Sequence, residues 1–279
     1  MLRPHDLPFS QSLAMQTRAF GADLAFLDDR TPGAADLRRA HALRGKKGQS
    51  LCLFEPGLGL LAVSMQARGD LPGLTRALAE LSSPVRVLLC PEESAARLIK
   101  SLEAAQGNSF RFQRRKKLLF LEPPSPRLLT SDLFTSGAET GLAPGRMRRA
   151  AAADADAMAG MIDKQDGEML DPVILAQGLA ASGRAYLWES AEGKCVAVAA
   201  LGCEDENSVD INTVNTRPDA RGQGFARSLL QTLLAEQVFP KAASVLVEEN
   251  NAPAEALYKK LGFRFACVWR YAEAGAVTD

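Results

Sequence analysis

From Ser208 onward, apolar and polar positions alternate between two periods in a regular order. Ser208 to Thr216 has period two, with Val209, Ile211, Thr213 and Asn215 on one face, and predicts a strand. Pro218, which has no N–H to donate, ends that ladder. Phe225, Leu229, Leu230, Leu233, Leu234 and Val238 then recur at helical spacing and form one apolar stripe. Ala243 to Glu248 is a short buried strand. Next, Asn251 is a good N-cap, Pro253 is tolerated in a first turn, and Gly262 is placed to end the helix left-handed. That helix directs Ala254, Leu257, Tyr258 and Leu261 toward a core. The first half repeats the alternation. Ser50 to Phe54 and Leu60 to Met65 predict strands around Pro56-Gly57-Leu58-Gly59, Leu74 to Leu81 a helix, and Val85 to Cys90 a strand. Glu92 to Ala105 predicts another helix, and Arg111 to Leu121 ends in a strand. Between the halves, residues 123–145 carry Pro123, Pro124, Pro126 and Pro144 with scattered Ser, Thr and Gly, the composition of a linker.

Arg221-Gly222-Gln223-Gly224-Phe225-Ala226 lies between a strand and a helix, where unpaired N–H groups and the positive end of the helix dipole favour an anion. Glycine lets the backbone approach a phosphate with no side chain between them. A P-loop would need GxxxxGK[ST], and no lysine follows Gly224 at that spacing. In a dinucleotide fingerprint a third glycine would stand where Arg227 does. On its own the loop fits two readings, a phosphate-gripping loop and a glycine-bearing surface turn before an amphipathic helix.

Arg-Gly-Gln-Gly-Phe-Ala at 221–226 resembles the R-x-x-G-x-G/A loop of the GNAT superfamily of acyl-CoA-dependent N-acyltransferases. Asn251, Ala254, Leu257, Tyr258, Leu261, Gly262 and Phe263 resemble that family's N-x-x-A-x-x-L-Y-x-x-L-G-F segment, one helix and one strand later. The resemblance covers about Arg146 to Tyr271. Thr216, Pro218 and the loop are most similar to the branch that includes glycine N-acyltransferases. In this frame Arg146 to Ala150 is a first strand. Asp154 caps a helix reaching about Gln165, and a second helix runs from Asp171 to Ser182. Arg184 to Glu189 and Cys195 to Cys203 are strands joined by a hairpin at 190–194, and the last strand runs from Phe263 to Tyr271. The expected class is α/β: a GNAT-like mixed sheet flanked by helices over residues 146–279, after a linker at 123–145. Residues 1–122 read as a degenerate copy of the same fold or an accessory α/β domain. Ser94 to Leu102 overlays Pro253 to Leu261, with Glu92 in place of Asn251 and Ile99 in place of Tyr258. No glycine loop precedes the helix at 74. Chance likeness of amphipathic helices is the alternative.

Composition narrows the picture further. With 33 basic and 33 acidic residues among 279, the formal charge is zero, which argues against a nucleic-acid footprint. Arg114-Arg115-Lys116-Lys117 reads as the solvated end of a strand. The five cysteines show no CxxC spacing and read as reduced, mostly buried thiols, with no metal site. No apolar run has the length of a membrane span, so a cytoplasmic protein with no membrane partner is expected. Oligomeric state is not encoded legibly.

The resemblance implies acetyl-CoA as co-substrate and an amine acceptor that attacks directly, without a covalent enzyme intermediate. The two histidines are His5 and His41, so a Ser–His–Asp triad in the second half is not expected. Main-chain N–H groups of Gly222, Gln223, Gly224, Phe225 and Ala226 would hold the pyrophosphate, with Arg221 shaping the loop and Asn251 in the same cofactor set. Val214, Asn215 and Thr216 would pair with the pantetheine arm as an added strand. Tyr258 is the implied general acid, although periodicity alone makes it a core aromatic. Asp210, eleven positions ahead of Arg221, is the candidate general base where many relatives carry glutamate; a solvent-facing strand aspartate is the alternative. A free aspartate near ~3.9 is a poor base for an alkylammonium near ~10, so burial or a relaying water is required. A catalytically weak CoA-binding or regulatory module is the other functional reading.

Overall fold

The computed structural model describes residues 43–44, 51–55, 60–64, 84–122, 141–162, 172–204 and 208–274. The expected helix at 74–81 and the turn at 56–59 lie outside these residues, as do most of the linker and the segments at 163–171 and 205–207. The fold is mixed α/β, with sheet flanked by helices, and its contacts divide it into two compact units. The first comprises residues 1–119, 246–255 and 265–279; the second comprises 120–245 and 256–264.

In the first unit, β1 (Leu43–Arg44), β2 (Leu51–Glu55) and β3 (Leu60–Ser64) form an antiparallel run, and β4 (Val87–Pro91) joins β3 in parallel. Helix α1 (Glu92–Gln106) follows β4 directly and ends at Gly107, whose φ of 71° is the left-handed conformation glycine adopts without a steric penalty. Its inward face, Ala95, Leu98, Ile99 and Leu102, packs with Val85, Leu88, Cys90, Phe110 and Ala272. Strand β5 (Phe110–Leu121) is a single twelve-residue strand. The chain's last strand, which pairs antiparallel with β4 through Trp269↔Pro91 to Glu273↔Val87, also belongs here.

Arg114 to Lys117 therefore lies in the middle of β5, not at a solvated end. Arg115 pairs with Glu249 at 2.8 Å, Lys116 with Glu248 at 3.2 Å and Lys117 with Glu255 at 2.6 Å. Acidic partners more than a hundred positions away in sequence neutralise the run, which accounts for four adjacent cations inside a strand.

The second unit has strand order β10-β9-β8-β7-β6, with β6 (Gly145–Arg149), β7 (Ala185–Ser190), β8 (Cys195–Glu204) and β9 (Ser208–Thr216) antiparallel in succession. β10 (Ala242–Glu248) adds to β9 in parallel. The β7–β8 hairpin turns through Gly193, at φ 74°, as its sequence predicts. Helix α2 is short (Ala155–Ala159), and α3 runs from Pro172 to Ser182. Asp154 does not cap α2 through its side chain. Its carboxylate takes two bonds from Arg148, at 2.7 and 2.8 Å, and one from the Ala151 N–H. This charge-assisted fork holds the Asp154 carboxyl down to about 2. A guanidinium on the neighbouring strand outcompeted the local cap.

Helix α4 (Phe225–Leu233) continues through a π-helical turn to Val238 and lies over β6 to β9. Leu229, Leu230, Leu233, Leu234 and Val238 are buried as the stripe predicts. Helix α5 (Ala252–Lys260) leads into β11 (Arg264–Ala274). Among the described residues, no helix is long and apolar enough to cross a membrane.

Candidate functional site

The loop after β9 is built for open backbone. Pro218–Ala220 forms a single 3₁₀ turn, and Gly222 and Gly224 then take φ values of 76° and 84°. Both are left-handed, a conformation that costs an L side chain roughly 1–2 kcal/mol. A Cβ at either glycine would meet nothing within 4 Å. Internal crowding therefore does not explain the glycines; backbone conformation and free approach from outside do.

Gly224 is the N-cap of α4, and the first intrahelical bond runs from the Ser228 N–H to the Gly224 carbonyl at 2.9 Å. The N–H groups of Phe225, Ala226 and Arg227 precede it and have no partner within the helix. Arg221 folds back, its Nε donating to the Thr216 carbonyl at 3.2 Å, and Gln223 Nε2 donates to the Asp219 carbonyl at 3.1 Å. Arg221 thus ties the loop to the end of β9, and Gln223 ties it to the 3₁₀ turn. Ser228, one turn into α4, accepts from the Ala143 N–H at 2.7 Å and fixes the helix start from behind.

Strand β9 carries the second feature. Val198 pairs with Asn215 and Ala200 with Asn212, so β9 holds one residue more than β8 over this stretch. The extra residue is a bulge, and Thr213, at φ 50°, is the described non-glycine residue with positive φ. Because paired residues share a face, the bulge sets Asn212 and Asn215 on the same side, with Asp210. The parallel ladder between β9 and β10 covers Ala242↔Ser208, Ala243↔Val209 and Ser244↔Asp210. It closes at Asp210, while β9 continues past the bulge to Val214, Asn215 and Thr216. The Asn215 side-chain Nδ2 is buried without a hydrogen-bond partner, an orphaned donor on this continuation.

Asp210 is buried, not facing solvent as its alternative reading had it. Ser244, itself buried, donates its hydroxyl to Asp210 Oδ1 at 3.0 Å. Gly202 on β8 lies beneath the same carboxylate: a Cβ there would stand 2.7 Å from Asn212 Nδ2 and 3.1 Å from Asp210 Oδ2. Asp210, Asn212, Ser244 and Gly202 thus form a small polar cluster where β9 and β10 stop pairing. Ser244 and Gly202 escaped sequence reasoning. The available signal was a lone polar residue within Ala-Ala-Ser-Val-Leu-Val at 242–247.

Tyr258 is the buried residue of α5, only 4% exposed, with Ala254, Leu257 and Leu261 half-buried. The helix ends in a Schellman motif: the Phe263 N–H donates to the Tyr258 carbonyl at 3.0 Å and the Gly262 N–H to the Lys259 carbonyl at 3.1 Å, with Gly262 at φ 91°. The Tyr258 and Phe263 rings meet edge to face at 5.4 Å, the apolar contact that accompanies such a cap. Asn251 accepts the Ala254 N–H on its Oδ1 at 3.1 Å and so serves as the N-cap its position predicts.

Among the described residues, no group of three or more His, Cys, Asp or Glu side chains could hold a metal. The free thiols of Cys90 and Cys267 are pushed up to about 12 and about 11, chiefly by burial.

Residues 182–265 match the family model of the acetyltransferase (GNAT) domain. This segment is similar to a GNAT acetyltransferase domain. The match begins at the end of α3 and closes at the start of β11, so it contains the bulged strand, the glycine loop and the tyrosine helix. Similar folds occur in a Drosophila protein (16% identity, 82% of this chain and 77% of that one, TM-score 0.59). An acetyltransferase of the GNAT family from Colwellia psychrerythraea is similar over 99% of this chain and 98% of its own, at 15% identity and TM-score 0.50. A GCN5-related N-acetyltransferase from Kribbella flavida is similar over 88% and 93%, at 18% identity and TM-score 0.50. At these identities the likeness is one of fold. Comparison with curated protein sequences gives no match.

Proposed function

We propose that this chain transfers an acetyl group from acetyl-CoA to a primary amine by direct attack. The observation that carries this reading is the loop: two left-handed glycines with open space beside them, at a helix start whose main-chain donors are unused, tied by Arg221 to the free run of β9. An anion and an extended chain fit these features together. When bound, acetyl-CoA supplies an activated thioester carbonyl.

The N–H groups of Gly222, Gln223, Gly224, Phe225 and Ala226 hold the pyrophosphate, which their direction at the helix start favours. Val214, Asn215 and Thr216 pair through their backbone with the pantetheine arm, and a main-chain N–H near Val214 polarises the thioester oxygen. Asp210, a buried carboxylate, takes the proton from the acceptor ammonium, directly or through a water. Tyr258 donates its phenolic proton to the leaving thiolate.

In this account residues 146–279 are catalytic and residues 1–122 a degenerate, non-catalytic copy. The start of α1 supports the second assignment. Glu92, which stands in the place of Asn251, pairs with Arg270 through Nε at 2.8 Å and with Arg115 at 3.5 Å, and α1 starts without a side-chain cap. Glu93 adds a second negative charge to the same turn.

The burial of the Tyr258 ring favours a second reading, in which the phenol is a core group of the helix cap and the chain binds CoA with little turnover. Calorimetric titration of acetyl-CoA into the full chain tests the assignment of the two halves. One molecule bound per chain is expected; two per chain would remove the degenerate-copy reading, and no binding would remove the loop assignment.

A further inference from the structure

We propose that Ser244 on β10 is a positioning residue for Asp210, holding its carboxylate at the point where β9 and β10 part. The inference rests on the reading of Asp210 as general base. Asp210 and Ser244 are register partners in the parallel ladder, and theirs is its last rung. Both side chains are buried, and the hydroxyl donates to Oδ1 at 3.0 Å. One carboxylate oxygen is therefore fixed by a neighbour that neither takes nor gives a proton at neutral pH.

The other oxygen, Oδ2, stands over Gly202, in space that exists because that residue has no side chain. Asn212 shares the space from the same face of β9. An aspartate side chain is short, with two rotatable bonds, and a bond from a neighbouring strand orients it. The Ser244 bond favours an arrangement set in advance, which is the condition for efficient proton transfer at a fixed site. Ser244 need not touch the acceptor or acetyl-CoA, so its removal should act on turnover and not on binding.

The test is a double-mutant cycle on the full chain. Wild type, Ser244→Ala, Asp210→Asn and the double variant are compared for thiol release from acetyl-CoA. Benzylamine, spermine, glycine and water alone serve as acceptors, and each comparison uses the acceptor that wild type turns over fastest. Ser244→Ala is expected to lower kcat about tenfold with KM for acetyl-CoA unchanged, and Ser244→Thr, which keeps a hydroxyl, to restore most of it. In the Asp210→Asn background the same Ser244→Ala change is expected to cost nothing further, because the group it positions no longer accepts a proton. Chemical denaturation of the four proteins provides an arm independent of turnover, and non-additive stabilities are expected there also. Equal kcat losses in both backgrounds, no loss in either, or additive stabilities would overturn the positioning role while leaving Asp210 as base. Undiminished kcat in Asp210→Asn alone would instead overturn the assignment of the base, and the positioning role with it.

Discussion

Tyr258→Phe is expected to lower turnover by about 10²- to 10⁴-fold, the range for loss of a general acid, with acetyl-CoA affinity unchanged. The residue's scaffold contributions include its carbonyl, which accepts from the Phe263 N–H, and its ring, which meets Phe263 edge to face. Phenylalanine keeps both. Tyr258→Ala would instead remove a buried ring at a helix cap and confound chemistry with unfolding, at about 3–5 kcal/mol for such a truncation. Steady-state thiol release from acetyl-CoA, with calorimetry and a thermal melt on the same preparation, separates the effects. Full turnover in Tyr258→Phe would show that the buried phenol serves the cap alone.

Gly224→Val is expected to weaken acetyl-CoA binding at least tenfold, about 1.4 kcal/mol. Gly224 sits at φ 84° as the N-cap of α4, a conformation a β-branched residue resists. The added side chain would meet no protein atom near its Cβ, so it would project into the open space beside the loop. Backbone strain and obstruction act in the same direction. Circular dichroism establishes whether the variant is folded, and calorimetry measures the affinity. A folded variant with unchanged affinity would contradict the pyrophosphate assignment.

The legible part of this protein was the part governed by local periodicity. Leu229, Leu230, Leu233, Leu234 and Val238 fell on one helical face and are buried, and Asn251 and Gly262 marked the limits of α5 because capping is a local property. The glycine loop was legible for the same reason. Features that depend on which strands become neighbours were not. Nothing near Thr213 signals a bulge, since an extra residue on one strand is defined only by its register with β8. The Asp154 side chain looked like a cap until β6 brought Arg148 beside it. Arg114 to Lys117 looked like a solvated terminus because Glu248, Glu249 and Glu255 come from the far end of the chain.

The candidate chemistry divides along the same line. Asp210 could be singled out by its place on the strand before the loop, but its burial and its bond to Ser244 depend on β10 lying beside β9. Tyr258 stood out by resemblance, whereas its part in the Schellman cap needed the turn at Gly262 and Phe263 to be seen in three dimensions.

Acceptor-dependent thiol release from acetyl-CoA by the purified full chain tests the central claim most directly. A panel of primary amines is offered at neutral pH, with CoA thiol followed by colour and the acylated amine by mass. The account predicts saturable release that requires an amine and yields one N-acetyl product per thiol. Saturable binding of acetyl-CoA with no release above the buffer rate for any amine would contradict it and leave a module that binds CoA without turning it over.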